Sequence, residues 1–407
     1  MNQENPDTSP SSLSVSAEKI LPRLDSVDVL RGLVMVLMAL DHTRDFFSDT
    51  AFLFDPTDLT KTNTALFLTR FVTHFCAPVF VFLAGTGAFL STLRGKTQSE
   101  LARFLLTRGL WLVLLELTVI RCLGWQFNFD YHYSFGQVIW AIGWSMVALA
   151  GLIYLPHRAL VGFGLVMILG HNALDKIQPE SFGALSWLWK ILHVPGNLEP
   201  MSGVIFEVRY PLIPWIGVMA VGYGFGKLLL HEPQHRQKLL FRLGAVLTLS
   251  FAILRAVNVY GDPAPWAVQK NWWFTVFSFL NCTKYPPSLL YLLMTLGPAL
   301  MALAWLDKSS GRWRQPFLII GRVPLFYYLL HLPLIHLMAV IFSVIRYGHL
   351  DKSLFENPPY ASVPKDFGYG LPVVYLVWIA AVLLLYPACR WFADLKKRRK
   401  EIWLSYL

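Results

Sequence analysis

Long apolar runs separated by short polar segments dominate the chain between residues 27 and 392. A run of about twenty apolar residues has the length that crosses a bilayer as an α-helix. The pattern predicts helices at about 27–47, 65–91, 105–123, 136–155, 159–173, 210–229, 239–257, 288–306, 317–345 and 371–392. The strands of an outer-membrane barrel show short alternating segments instead. We therefore expect an all-α, polytopic integral membrane helix bundle of about ten transmembrane helices.

The composition agrees with a membrane protein and indicates its orientation. Hydrophobic residues make up 55% of the 407 residues and charged residues 15%, whereas soluble domains average about 25% charged residues. This excludes a soluble globular enzyme and a disordered chain. Basic residues recur in alternate loops and at 396–400, so the positive-inside rule places both termini in the cytoplasm. The net charge of +10 then reflects topology and lipid contact, and no nucleic-acid partner is expected.

The chain divides into three predicted parts. Residues 1–22 are polar and rich in Ser and Pro, which is typical of a disordered tail. Residues 23–393 form the transmembrane domain, and residues 394–407 form a basic cytoplasmic tail. The lipid bilayer is the partner that this organisation requires. The sequence leaves open whether the protein also forms a homodimer. No metal site is expected, because the four cysteines lie too far apart for a zinc or redox motif.

Ionisable residues interrupt the outer end of the first predicted helix. Asp41, His42, Arg44 and Asp45 fall within about one helical turn. Such groups are costly in a membrane unless they pair or face water, so they mark a functional site. His42 and Asp45 are neighbours at i, i+3, and we expect Asp45 to orient His42 as a base or nucleophile. A solvated helix end with ordinary salt bridges is the alternative.

Further candidate residues are predicted at the same outer level. His74 in the second helix is either a second functional histidine or a structural one. Asn128, Asn281 and Lys284 stand in outer loops, where they could bind an acceptor or a developing oxyanion. Lys284 and Tyr285 precede a helix start and could equally be interface anchors.

The ninth predicted helix carries a histidine and an arginine cluster. His331 lies about 20 Å along the helix from Phe317, inside the bilayer, where it needs a partner or a cavity. Arg322 lies near the cytoplasmic Arg312 and Arg314, and this cluster could hold phosphates that arrive from the cytosol. A plain positive-inside cluster is the alternative.

Several motifs carry a resemblance to a known family. They are Arg23-Leu-Asp-Ser-Val-Asp-Val-Leu-Arg-Gly32, the Asp41-His42 pair, Ala77-Pro-Val-Phe-Val-Phe-Leu-Ala-Gly85, Tyr210-Pro-Leu-Ile-Pro-Trp-Ile-Gly217 with Gly222-Tyr-Gly224, and Lys284-Tyr-Pro-Pro-Ser288. Over nearly the whole chain, they resemble bacterial membrane proteins of the heparan-alpha-glucosaminide N-acetyltransferase-like group. The resemblance implies an acyltransferase in the bacterial inner membrane. Such an enzyme moves acetyl from cytosolic acetyl-CoA to an outer acceptor, often a sugar.

One departure from the family affects the catalytic residues. The histidine credited with catalysis in the lysosomal enzyme stands in the first outer loop, and this chain has no histidine between Ser48 and Thr73. We therefore expect His42 or His74 to serve, with Asp41 and Asp45 beside them and Arg44 toward the substrate. The acetyl-CoA phosphates are expected at Arg312, Arg314 and Arg322, with His331 deeper in the same site. A proton-coupled transporter or flippase without covalent chemistry is the competing hypothesis.

Overall fold

The computed structural model describes residues 23–93, 95–357, 366–399 and 401–407, so the predicted tail at 1–22 lies outside the described residues. Helices occupy each segment in which the apolar pattern predicts one. They are α1 (Asp25–Phe47), α2 (Thr64–Thr73), α3 (Cys76–Thr92), α4 (Gln98–Leu115), α5 (Val138–Leu152), α6 (His157–Gly170), α7 (Ser186–Leu192), α8 (Leu212–Phe225), α9 (Pro233–Val257), α10 (Trp272–Leu280), α11 (Leu289–Lys308), α12 (Arg314–Arg322), α13 (Pro324–Tyr347) and α14 (Leu371–Arg398). Helix α4 continues in π-helical turns over Glu116–Trp125.

Part of this helical set has the length and hydropathy of membrane spans. Within the described residues, six helices qualify: Thr64–Thr92, Leu212–Leu230, Pro233–Val257, Leu289–Lys308, Pro324–Tyr347 and Leu371–Arg398. The helices at His157–Leu174 and Pro179–Leu192 qualify together as a pair bent by 112°. Helix α1 does not qualify, because charged residues stand near both of its ends. The protein is thus a mainly helical membrane protein with about six candidate spans.

A small sheet corrects the expectation of an all-α fold. Strand β1 (Tyr133–Gly136) pairs in parallel with β3 (Val204–Val208), and β2 (Gly196–Met201) pairs with β3 in antiparallel. The strands lie in the segments that connect the long helices. They are too short to produce a signal beside the apolar runs, and the pairing of β1 with β3 joins residues about seventy positions apart, which local patterns do not show.

Glycines allow the helices around α1 to approach closely. A Cβ atom on Gly32 would lie 1.9 Å from the carbonyl oxygen of Phe317, and one on Gly321 would lie 1.8 Å from that of Asp28. These two glycines therefore bring α1 and α12 into backbone contact, which is the common use of small residues between membrane helices. The contact fixes the height of α1 relative to α12 and α13.

The start of α1 and the end of α14 lie at the same end of the bundle. We call it the basic end, after Arg23, Lys96, Arg108 and Lys396, which line one cavity there. The segment at 401–407 returns to this end, where the hydroxyl of Tyr406 lies 2.7 Å from that of Thr107. The other end of α1 lies near the start of α11.

Candidate active site

Five residues form a polar cluster at the end of α1 opposite the basic end. Nη1 of Arg70 lies 2.7 Å from each carboxylate oxygen of Asp41, and the Thr73 hydroxyl donates to the same carboxylate at 2.9 Å. Nη2 of Arg44 lies 3.2 Å from Asp41 and donates to Asp45 at 2.6 Å. Arg70 and Thr73 face Asp41 together because they stand three residues apart on α2. The charges of the polar cluster are therefore largely paired.

The neighbouring His42 is paired with a second histidine. Its Nδ1 lies 2.7 Å from Nε2 of His331, and Nδ1 of His331 lies 2.7 Å from the carbonyl oxygen of Tyr328. A carbonyl oxygen only accepts, so Nδ1 of His331 is the donor, and in the neutral ring its Nε2 is an acceptor. Nδ1 of His42 must then donate to it. This tautomer leaves the lone pair of His42 on Nε2, as a base or nucleophile requires.

This pairing corrects the expected orienting role of Asp45. Helical spacing allows a contact between Asp45 and His42, but the adjacent guanidinium of Arg44 takes the carboxylate instead. His331, which was expected deeper in the acetyl-CoA site, supplies the orienting contact. It was expected to need a partner or a cavity, and His42 is a partner inside the protein, where both imidazoles are almost fully buried.

His74 occupies the break between α2 and α3. Its ring centroid lies 5.5 Å from that of Tyr291, and the Tyr291 hydroxyl donates to the His74 carbonyl oxygen at 2.7 Å. Within the described residues, the buried Nδ1 of His74 has no hydrogen-bond partner. His74 is thus held by its backbone, while its imidazole stays a candidate for chemistry.

A clamp around Asp262 fixes the loop before α11. Its carboxylate accepts hydrogen bonds from the Thr283 amide at 2.8 Å, the Thr283 hydroxyl at 3.0 Å and the Ser288 hydroxyl at 2.6 Å. The buried Arg255 lies 3.9 Å from Asp262 and donates to the Asn281 carbonyl oxygen at 2.7 Å. The loop at 281–288 is therefore held rigidly at both of its ends.

This loop brings Lys284 and Tyr285 toward the polar cluster. Lys284 lies close enough to Asp41 and His42 to interact with both electrostatically. The ring of Tyr285 lies 5.1 Å from that of Tyr210. Burial raises the pKa of the Tyr285 phenol, but the positive charges of Lys284 and Arg70 outweigh it and lower that pKa below its ordinary value. Tyr285 is accordingly a stronger proton donor than an ordinary tyrosine.

The two predicted asparagines have structural contacts instead. Nδ2 of Asn128 donates to the carbonyl oxygen of Phe355 at 2.8 Å, and Nδ2 of Asn281 donates to that of Thr57 at 3.1 Å. Each amide thereby joins two loops, and neither bonds to His42 in the part of the chain that the structure describes. The oxyanion role considered for them has no support in these contacts.

A cavity of about 540 Å³ opens at the basic end. Six basic side chains line it, namely Arg23, Arg31, Lys96, Arg108, Arg322 and Lys396, together with the Asp28 carboxylate. Its inner wall is mostly apolar and includes Met38 and Tyr328. Met38 stands one helical turn before His42, and the Tyr328 ring lies 6.1 Å from the His42 ring. The cavity thus leads from a cationic mouth toward the histidine pair.

Only one of the three arginines predicted to hold phosphates lines this cavity. Arg322 does so and pairs with Asp25 at 3.0 Å, whereas Arg312 and Arg314 are not among its lining residues. Arg314 donates to the Ser309 carbonyl oxygen at 2.5 Å. The other cations of the mouth lie in or just before the start of α1, in or just before α4, and at the end of α14, and the sequence does not show these segments to be neighbours.

Glu116 is a buried candidate that the sequence reasoning missed. It is fully buried where α4 turns π-helical, and one carboxylate oxygen accepts from the Trp140 amide at 2.9 Å. The other oxygen has no hydrogen-bond partner in the described residues, and Tyr328 lies within electrostatic reach. A carboxylate inside an apolar run was the available signal. π-Helical turns also occur frequently at functional sites.

These features define a helical membrane protein in which a cationic cavity leads to a buried pair of histidines. The sequence model of the protein family described as "Heparan-alpha-glucosaminide N-acetyltransferase, catalytic" matches residues 23–260. This match covers more than half of the chain and includes α1 to α9. The chain belongs to this family, and the family indicates an acetyltransferase-like function. No protein of curated function matches the sequence.

The polar cluster predicts unequal costs for removing its two carboxylates. Asp41→Asn should lower the free energy of unfolding by about 1.5–3 kcal/mol, because it leaves Arg70 without its charged partner. Asp45→Asn should cost at most about 1 kcal/mol, since Asp45 is more exposed and its ion pair among the described residues is with Arg44. Thermal unfolding of both purified variants in one detergent measures the difference. Equal losses would show that Asp41 is not the centre of the cluster.

Proposed function

We propose that the protein is a membrane-embedded acyltransferase that moves an acetyl group from cytosolic acetyl-CoA to a sugar or other glycan on the outer side. The observation that carries this proposal is the cavity that runs from six cations at the basic end toward His42. The family assignment supports the reaction class. The proposal adds the donor, the acceptor and the direction of transfer.

The donor fits the cavity in charge, polarity and size. Its phosphates would bind at the mouth, where guanidinium groups form strong, charge-assisted hydrogen bonds with such oxygens. The pantetheine arm would lie along the apolar wall. The volume of about 540 Å³ falls in the usual range for small-molecule sites, about 300–1,000 Å³. Along α1, Asp28 and His42 are separated by about 21 Å, so a long arm is needed to reach from mouth to histidine.

The chemistry is assigned to His42. Its Nε2 either removes the proton of the acceptor nucleophile or takes the acetyl group before the acceptor does. His331 holds the required tautomer through the 2.7 Å contact, and it can accept the Nδ1 proton when His42 becomes cationic. Lys284, on the loop before α11, is the candidate to stabilise the negative charge that develops on the acetyl carbonyl oxygen. The thiolate of coenzyme A leaves through the cavity by which the donor entered.

The acceptor is assigned to the opposite end of the bundle. Arg44, Lys284 and Tyr285 offer donors for hydroxyl groups there, and Tyr210 adds an aromatic face beside Tyr285. A site with several hydrogen-bond donors and aromatic rings suits a sugar better than an apolar acceptor. The polar cluster would keep this end of the bundle hydrated, while the histidine pair would stay largely shielded from water.

The orientation is part of the same proposal. We assign ten spans to the domain at 23–393, with both termini and the basic tail at 394–407 in the cytoplasm of a bacterium whose inner membrane holds the protein. The support is the concentration of lysine and arginine at the basic end, which the positive-inside rule places in the cytoplasm. Phosphate groups of a cytosolic donor would meet the cavity mouth on that side.

A topology measurement tests this orientation. A fluorescent reporter after Leu407 should be active inside the cell, and a phosphatase reporter inserted at Gly203, in the exposed turn between β2 and β3, should be active outside it. If both positions were found on the same side of the membrane, the ten-span assignment would be contradicted. Exchanging the two reporters between the sites controls for their different folding requirements.

Neighbouring lysines at the end of α14 test the donor site. Lys396 lines the cavity, whereas Lys397 is exposed and lies 3.4 Å from Asp394. Lys396→Glu should weaken coenzyme A binding about tenfold or more, because one charge-assisted contact is worth about 1.5–3 kcal/mol and 1.4 kcal/mol is tenfold. Lys397→Glu should leave it nearly unchanged. Thermal stabilisation by coenzyme A across a concentration series gives both affinities.

Arg312→Glu provides a further comparison for the donor site. Because Arg312 does not line the cavity, its charge reversal should have little effect on coenzyme A binding. A large loss in this variant, with an unchanged affinity in Lys396→Glu, would move the phosphates to the loop before α12 and contradict the cavity assignment.

Substitutions of the histidine pair test the chemistry. His42→Ala should reduce acetyl transfer from labelled acetyl-CoA by about 100-fold or more, the usual scale for general acid–base catalysis. His331→Leu should also reduce turnover, while His331→Gln should retain more activity because its side-chain oxygen can accept from Nδ1 of His42. The measurement is labelled product formed by purified protein in liposomes.

Two outcomes would overturn this assignment of roles. Full transfer by His42→Ala together with loss in His74→Ala would move the chemistry to His74. No labelled product from the wild-type protein, together with substrate flux coupled to a pH gradient, would favour the transporter hypothesis. Equal activity of His331→Leu and His331→Gln would show that the hydrogen bond to His42 has no catalytic importance.

A further inference from the structure

Two histidines and an aspartate converge at the sharp bend that follows α6. His171 begins the short turn at His171–Leu174, Asp175 follows it directly, and His193 comes just after α7. Each side chain offers one potential ligand atom, and these three atoms lie within 4.8 Å of one another. Two imidazoles and one carboxylate form a ligand set that is typical of divalent transition-metal ions.

Hydrogen bonding inside the protein leaves this cluster incomplete. His171 and His193 are each only 1% exposed. Within the described residues, neither ring nitrogen of His171 has a hydrogen bond of ordinary geometry, and Nδ1 of His193 has none. Buried polar side-chain atoms nearly always have a partner, so the two unpartnered ring nitrogens of His171 require an explanation.

We propose that His171, Asp175 and His193 bind one divalent transition-metal ion. Nε2 of His193 and Oδ1 of Asp175 are already 3.1 Å apart. Ligand atoms around a tetrahedral zinc ion are separated by about 3.3 Å, so small rotations of the side chains, above all of His171, complete the site. The carboxylate supplies one negative charge, and a water molecule takes the fourth position.

The surroundings of the cluster match the outer shell of a metal site. Nδ2 of Asn172 donates to Oδ2 of Asp175 at 2.8 Å, which orients the carboxylate. The carbonyl oxygen of Pro287 lies close enough to His171 to interact with it. A ring N–H directed at that carbonyl leaves the other ring nitrogen free as a ligand, which is the usual arrangement for a metal-binding histidine.

The ion would join two parts of the chain, and a neighbouring hydrogen bond of Asn172 links them to a third part. It connects the end of α6 to the end of α7, and Oδ1 of Asn172 accepts from the Leu289 amide at 2.9 Å, at the start of α11. The loop that carries Lys284 and Tyr285 ends at this same helix start. The ion would therefore stabilise the segment between the end of α6 and the end of α7, next to the loop before α11.

Metal content of the full-length protein tests the proposal directly. Protein purified without a polyhistidine tag is dialysed against buffered Zn²⁺, and bound metal is measured by mass spectrometry. We expect one zinc ion per chain in the wild type and loss of that ion in His171→Ala and in His193→Ala. Zn²⁺ should raise the unfolding temperature of the wild type and leave that of both variants unchanged.

Two milder variants cover the case in which the alanine variants fail to fold. Asp175→Asn keeps the shape of the side chain and should lose stoichiometric zinc. Asn172→Ala keeps all three metal ligands but removes the contact that orients Asp175, together with the hydrogen bond from the Leu289 amide, and should weaken zinc binding by about 10–100-fold. Neither zinc measurement depends on acetyl transfer. A failure of the metal proposal can therefore be distinguished from a failure of the proposed function.

The exposed pair His231 and His235 is the matched control. Their rings lie 4.9 Å apart near the start of α9, and they could hold zinc without a built site. The double variant His231→Ala/His235→Ala should keep the buried ion. Wild-type protein without bound zinc after dialysis, or a His171→Ala variant that keeps one ion, would overturn the proposal and leave only a hydrogen bond between His193 and Asp175.

Discussion

The hydrogen bond between His42 and His331 is the contact on which the candidate site depends. It joins residues 289 positions apart, one on α1 and one on α13. An imidazole buried among helices needs a partner, and each ring here supplies the partner of the other. The contact forms only if α1 stands at the correct height beside α12 and α13. Gly32 and Gly321 set that height, since neither position has room for a Cβ atom.

Helix α1 tolerates charges at both ends because each charge has a nearby counter-charge. At the basic end, Asp28 accepts from Arg31 at 2.7 Å and also pairs with Arg23. At the opposite end, Oδ1 of Asp41 forms an ion pair with Nη1 of Arg70 at 2.7 Å. Removing either carboxylate would take a charged partner from partly buried arginines, which costs more than the pair itself contributes. The first helix is therefore fixed at its two ends by ion pairs and in its first third by backbone contact with α12.

Local patterns in the sequence could predict the helices and the unusual residues, but not their partners. The apolar runs located the helical segments, and the cost of burying charge singled out Asp41 and His42. Helical spacing favoured Asp45 as the partner of His42, because spacing reports only on neighbours within one helix. The true partner, His331, comes from another helix. The cavity could not be predicted for the same reason, because its cations come from segments that lie far apart from one another in the sequence.

The distribution of charge along the bundle constrains any reaction between its two ends. Cations are concentrated at the mouth of the cavity, and the polar cluster at the other end contains both signs. Between them, the wall of the cavity is mostly apolar, and polar groups near its inner end include His42, His331, Tyr328 and Glu116. A highly charged molecule would lose hydration on this path without gaining counter-charges. A donor whose phosphates stay at the mouth, while an uncharged thioester arm extends inward, meets this constraint, because only the acetyl group then has to reach the histidine pair.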